Sequence, residues 1–168
     1  STTCTTGKTA QTSVWTKVNC TFTAPSSGIT SSNAIIIRQS TATVRTFYVD
    51  NLSVTIAADY NYATDGSVND SGNFATNYSL VNATTGAGSV TRSTADGFDA
   101  SDSASVTLST GAANAGLRNK LSINPLPNTL YRLTVYGKLS SGTFADFKMR
   151  YAPTGSTGSS GTYIDCAD

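Results

Sequence analysis

An all-β sandwich is the fold the sequence predicts, and three observations predict it. Thr, Val, Ile, Tyr and Phe are plentiful while strong helix formers are scarce: among 168 residues there is one Met, and all ten acidic residues are Asp. Short segments of alternating or continuous apolar character recur along the chain between Gly, Ser, Asn and Pro turns, and no amphipathic helical period interrupts them. With 38% hydrophobic and only 12% charged residues, there is material for one sandwich-sized core, and hydroxyls and amides must supply the solubility.

The elements follow in order. Val14, Val18, Cys20 and Phe22 alternate with Trp15, Lys17, Asn19 and Thr21, the period-two signature of a half-buried strand, which Ala24-Pro25 ends. Ala34 to Arg38 (AIIIR) is a short apolar run, the pattern of a strand covered on both sides. Phe47 to Thr55 alternates through Phe47, Val49, Leu52 and Val54, with a phase break at Asp50-Asn51 that predicts a bulge or a ligand loop. From Ala57 to Gly88 Asn, Gly, Ser and Thr predominate, so a linker-like opening and loops are expected, with a weak strand signal at Tyr78 to Val81. Further strands are expected at Ala104 to Leu108, Leu117 to Ile123, Leu130 to Lys138 and Phe144 to Ala152. Strands this short and regular make a sandwich or jelly roll the leading architecture.

Composition also narrows function. A net charge of +1, with Lys and Arg scattered singly along the chain, makes nucleic acid an unexpected partner. No apolar run approaches the roughly 20 residues that cross a bilayer, so no membrane insertion is expected. The polar opening STTCTTGKTA, without an initiator Met or a signal core, reads as a mature fragment or an excised segment. Three cysteines without CxxC spacing suit an oxidising, extracellular or cell-surface setting. With no His there is no imidazole base, no nucleophile–histidine pair and no histidine metal site. Paired Asp residues could serve glycoside hydrolysis, but most stand in Ser/Gly loops such as Ala95 to Asp102, and the chain is not expected to be an enzyme.

The stretch WTKVNCTFTAP (Trp15 to Pro25), then AIIIRQS and FYVDNLSV, resembles the last third of the jelly-roll carbohydrate-binding modules attached to cellulases and xylanases. NTLYRLTVYGKLSSG (Asn128 to Gly142), with FADFKMRYA after it, resembles the middle of the same module. The order of these halves is reversed relative to the family. Residues 1–59 therefore read as the closing strands of one jelly roll, and residues 60–168, from about Tyr60, as the opening and middle strands of the next copy in an array, or of the same domain if circularly permuted. The sandwich would be completed across copies in the first case and within the chain in the second.

The resemblance implies a structural calcium, for which Asp50 would supply a carboxylate. At the family's second carboxylate position the segment TDGSVND (Thr64 to Asp70) keeps Gly66 but has Val68 and Asn69, leaving Asp65 as the substitute. The competing role for Asp50 is a strand-end acceptor of backbone N–H groups. Cys4 and Cys166 are disulfide candidates, either between successive copies or within a permuted monomer, and both cases leave Cys20 as the odd cysteine, packed as a small apolar side chain.

Glycan recognition calls for exposed rings flanked by planar hydrogen-bonding groups. Arg132, Thr134, Tyr136 and Lys138 share one strand face, which makes Arg132, Tyr136 and Lys138 carbohydrate candidates, with an ordinary solvated face or a contact to the next subunit as the competing reading. Trp15, on the polar phase of its own strand, is the fourth candidate, though the resemblance implies that it covers a sheet edge. The leading expectation is a structural repeat unit of an extracellular filament or adhesin stalk, with neighbouring copies of itself as partners. The alternative is a monomeric carbohydrate-binding module with glycans as partners.

Overall fold

Period-two alternation becomes two faces on every long strand of the computed structural model, which describes residues 12–39, 44–56, 61–81, 88–99, 101–109, 115–141, 147–155 and 163–165. The strands are β1 (Thr16–Thr23), β2 (Ala34–Gln39), β3 (Arg45–Thr55), β4 (Tyr78–Val81), β5 (Gly88–Ser93), β6 (Ser103–Leu108), β7 (Gly116–Lys120), β8 (Leu130–Leu139), β9 (Phe147–Ala152) and β10 (Ile164–Asp165), with one helical turn, α1 (Phe74–Asn77), before β4. They form two five-stranded sheets, β1-β8-β3-β6-β5 and β10-β9-β2-β7-β4. All pairings between these strands are antiparallel. Successive strands mostly cross from one sheet to the other, the jelly-roll manner of building a sandwich. β1 packs beside β10 along one side of the sandwich and β4 beside β5 along the other. Strands from residues 16–55 and from residues 78–165 interleave in both sheets.

The inward faces make the core. On β8, Tyr131, Leu133, Val135 and Leu139 are buried, and on β1, Val18, Cys20 and Phe22 meet them across the pairing. Phe22 stacks between Tyr131 and Tyr151, at 5.5 and 4.6 Å between ring centroids, and Tyr62 meets Tyr131 edge-on at 5.3 Å. Each such pair adds about 1 kcal/mol beyond the area it buries. β2 is buried along its whole length, as its unbroken apolar run predicts. Ile35 and Ile37 join the main core, whereas Ile36 faces outward and is covered in a second cluster with Val81 and Ala152.

Several boundaries differ from the sequence expectation. β1 starts at Thr16 because Ser13, at φ 63°, turns the chain and leaves Val14 51% exposed. β7 ends at Lys120, after which Leu121 adds a lone bridge to Ala63 and Ile123 points into solvent. The turn α1 stands where only loops are expected, burying Phe74 and Asn77. β5 and β10 were not foreseen; both are sheet-edge strands. Residues 144–146 of the last expected strand lie outside the described residues.

The break at Asp50-Asn51 is a bulge: the β3–β8 register shifts between Asp50 and Ser53, and Asn51 adopts φ 52°. The backbone groups it frees are satisfied by the next loop. Leu52 N–H donates to the Gly66 carbonyl at 2.8 Å, Val54 N–H to Asn61 Oδ1 at 2.8 Å, and Asn61 Nδ2 to the Leu52 carbonyl at 2.8 Å. Gly66 lies so close that a Cβ there would collide with the Leu52 carbonyl oxygen.

Candidate functional site

The outward face of β1-β8-β3 is set by pairing. Thr21, Arg132 and Thr55 form one row across the three strands; Asn19, Thr134 and Ser53 form the next; Lys17, Tyr136 and Asp50 form the third. Each β1 and β8 member alternates with a buried neighbour, so the pattern that builds the core also presents these groups to solvent. Over β1 and β8 lies an open groove of about 470 Å³, lined by Lys17, Asn19, Cys20, Thr21, Arg132 and Thr134.

Beyond the Lys17 end of the groove, where Lys17 pairs with Tyr136, the loop joining β5 to β6 is tied down at three points. Phe98 N–H donates to Asp50 Oδ2 at 2.7 Å, Asn51 Nδ2 donates to Asp99 Oδ2 at 2.9 Å, and Lys138 Nζ pairs with Asp96 Oδ1 at 2.6 Å. These ties lay Phe98 on the Tyr136 ring, with centroids 3.7 Å apart and planes 21° apart. Trp15 meets Phe98 edge-on at 6.1 Å. Lys138 Nζ sits 5.2 Å from the ring centres of both Trp15 and Tyr48, and Lys17 Nζ sits 5.9 Å from that of Tyr136.

The structure thus brings all four carbohydrate candidates onto one face, in different roles. Arg132 lines the groove with its side chain exposed. Tyr136, Lys138 and Trp15 belong to the aromatic cluster beyond it, where the Tyr136 ring is covered by Phe98 and the Lys138 charge is paired with Asp96. Phe98 itself, 39% exposed, is the contributor that sequence reasoning missed. Its signal was a lone ring in the polar run ADGFDASD. Lys17, Asn19 and Thr21 were missed as groove residues because their strand is read for its buried face.

Both carboxylates to which the family resemblance assigns a calcium accept backbone N–H groups. Asp50 is fully buried, and its two oxygens accept N–H groups from Asn51 and Phe98, each at 2.7 Å, the strand-end acceptor role. Burial pushes the Asp50 carboxyl up to about 6; the two N–H bonds pull it back, and Asp99 and Asp102 add to the rise. Asp65 accepts N–H groups from Asn69 and Asp70 on Oδ1, at 2.8 and 3.1 Å, and only its buried Oδ2 lacks a hydrogen-bond partner. Its carboxyl is also raised by burial, against the pull of those N–H bonds and of the Arg92 charge. Arg92 is the cation already present there, donating to the Val68 carbonyl at 3.0 Å and pairing with Asp102 at 2.7 Å. Among the described residues no three His, Cys, Asp or Glu side chains gather as a metal set. Cys20 is buried in the core, whereas Cys4 and Cys166 lie outside the described residues.

The opposite sheet carries a second polar face. Pairing sets Arg118 and Arg150 on either side of Ile36, Lys120 beside Ala34, and Lys148 beside Arg38. Cations scattered in sequence are therefore collected by register. Several of them are engaged locally: Arg38 is 5% exposed, Arg118 donates to the Ser32 carbonyl at 2.7 Å, and Arg150 lies 5.4 Å from the Tyr163 ring centre. No protein-family model, no curated protein and no solved structure matches the chain.

Proposed function

We propose that the protein is a non-catalytic carbohydrate-binding module of an extracellular setting, which holds a glycan chain in the groove along β1 and β8. The observation that carries this reading is the groove itself: successive rows offer hydroxyl, amide and cationic side chains, and an aromatic cluster lies beyond them. Sugar hydroxyls need such planar and hydroxylic partners at repeated intervals, and an open groove admits the interior of a polymer as well as its end. The resemblance of residues 15–55 and 128–152 to jelly-roll binding modules supports the same reading. A non-catalytic role is supported by the carboxylates around the groove, which are committed to structural bonds: Asp96 to Lys138, Asp99 to Asn51 and Asp102 to Arg92.

The test is retention of the protein on a panel of immobilised polysaccharides, with Asn19→Ala and Arg132→Ala as variants. Each variant is expected to weaken binding about tenfold, the cost of one hydrogen bond to a charged or polar partner, with an unchanged melting temperature. A panel on which nothing is retained defeats the reading.

A second reading, a repeat unit of an extracellular fibre assembling with neighbouring copies, is favoured by one observation. β1 and β10, the first and last strands, pack side by side, so one copy could pass its opening strands to the next with little rearrangement. Negative-stain images of native material distinguish the two, as filaments or as isolated particles.

A further inference from the structure

We propose that the polymer held in the groove is an acidic one, a polysaccharide carrying carboxylates at intervals, which Lys17 and Arg132 engage at two separate points; this rests on the groove being the glycan site. Both side chains are exposed, both line the groove, and neither is in an ion pair among the described residues. Among the described residues, three carboxylates on or beside this sheet are engaged elsewhere. Asp96 is paired with Lys138, Asp102 with Arg92, and Asp50 is sealed beneath Phe98. Among the described residues the groove lining carries two cations and no carboxylate, in a chain whose net charge is only +1.

Spacing argues for a polymer. Arg132 pairs with Thr21, and Lys17 stands four residues before Thr21 on β1, which sets the Cα atoms of the two residues about 13 Å apart along the strands. A polymer chain lying along β1 meets each of them in turn. An arginine fork can bind a carboxylate through two hydrogen bonds, and the Lys17 ammonium serves as a point charge. Between them Asn19, Thr21 and Thr134 supply partners for ring hydroxyls.

Neutral glycans are held chiefly by open aromatic platforms, and here the rings are used on one another. Phe98 covers Tyr136, and Lys138 lies over Trp15 and Tyr48. The same packing argues against single-stranded nucleic acid, which needs free rings on which bases stack. The more numerous cations of the opposite sheet are less available, Arg38 being buried and Arg118 held by Ser32.

Calorimetric titration with polygalacturonate, with its fully methyl-esterified form, with neutral xylan and with polyadenylate tests the proposal on the unaltered protein. Polygalacturonate is expected to bind, esterification to weaken binding at least about tenfold, and added salt to weaken it further. Lys17→Gln and Arg132→Gln are each expected to lower polygalacturonate affinity about tenfold, and Lys148→Gln on the opposite sheet to leave it unchanged. The proposal is overturned if the esterified or neutral polymer binds equally well, if polyadenylate binds as tightly as polygalacturonate, or if Lys148→Gln costs as much as Arg132→Gln. Binding of xylan alone overturns the acidic preference and leaves the glycan groove standing, whereas binding of none of the four removes the groove reading as well.

Discussion

Asp50 is a carboxylate sealed under a loop and fed by two backbone hydrogens, and that arrangement has a sign. Its carboxyl is pushed up to about 6 from the ordinary 3.8, burial being the main cause. The folded protein keeps this proton over a range in which the unfolded chain has released it. Stability is accordingly expected to fall as the pH rises from about 4 to about 6, by on the order of 3 kcal/mol from this group. Asp50→Asn should flatten that fall in urea midpoints measured across the same range. Asp65, also raised by burial, contributes with the same sign and keeps some slope in the variant. Since both Asp50 oxygens receive N–H groups, millimolar calcium or EDTA is expected to leave the melting temperature where it is, and a rise of several degrees with calcium would refute that arrangement. At this scale the sequence marked Asp50 as special through the broken alternation around it. It could not tell an ion ligand from an acceptor of backbone hydrogens, because the Phe98 N–H arrives from 48 residues away.

Elements were legible where burial is two-sided or strictly alternating. AIIIR announced β2 because every residue there is covered, and the phase slip at Asp50-Asn51 announced the bulge in β3. β5 was invisible for the opposite reason: it is an edge strand with no fully buried residue, and Val90 is its single large apolar side chain. The loop carrying Gly66 shows how one element completes another, since its backbone and Asn61 supply the hydrogen bonds that the bulge takes from β3. Gly66→Ala should lower unfolding free energy by about 2 kcal/mol, because the new methyl group meets a carbonyl oxygen that cannot yield without breaking this docking. Chemical denaturation checks it, and a neutral effect would mean the loop sits more loosely on β3 than the 2.8 Å bond from Leu52 implies.

For the whole molecule, a period of two says which side chains turn inward but not in which sheet a strand lies. The neighbouring strands β8 and β9 fall in opposite sheets, so Arg132 and Lys138 face one side of the sandwich while Lys148 and Arg150 face the other. The groove was legible only in part for the same reason: its β8 wall could be read from the sequence, but its β1 wall follows from pairing residues more than a hundred positions apart. Because strands from both parts of the chain interleave in both sheets, unfolding is expected as one cooperative transition, with far-UV and near-UV circular dichroism giving the same midpoint. In a self-closed sandwich that midpoint is independent of protein concentration, whereas strands exchanged between copies would make it rise with concentration.

The chain has a single tryptophan, and it stands beyond the Lys17 end of the groove, edge-on to Phe98 and beneath the Lys138 ammonium. Its emission therefore comes from one place, where the ring meets Phe98 and the Lys138 ammonium. The molecule carries a built-in optical gauge of whether the loop that bears Phe98 stays seated on Tyr136, readable without a label in any titration.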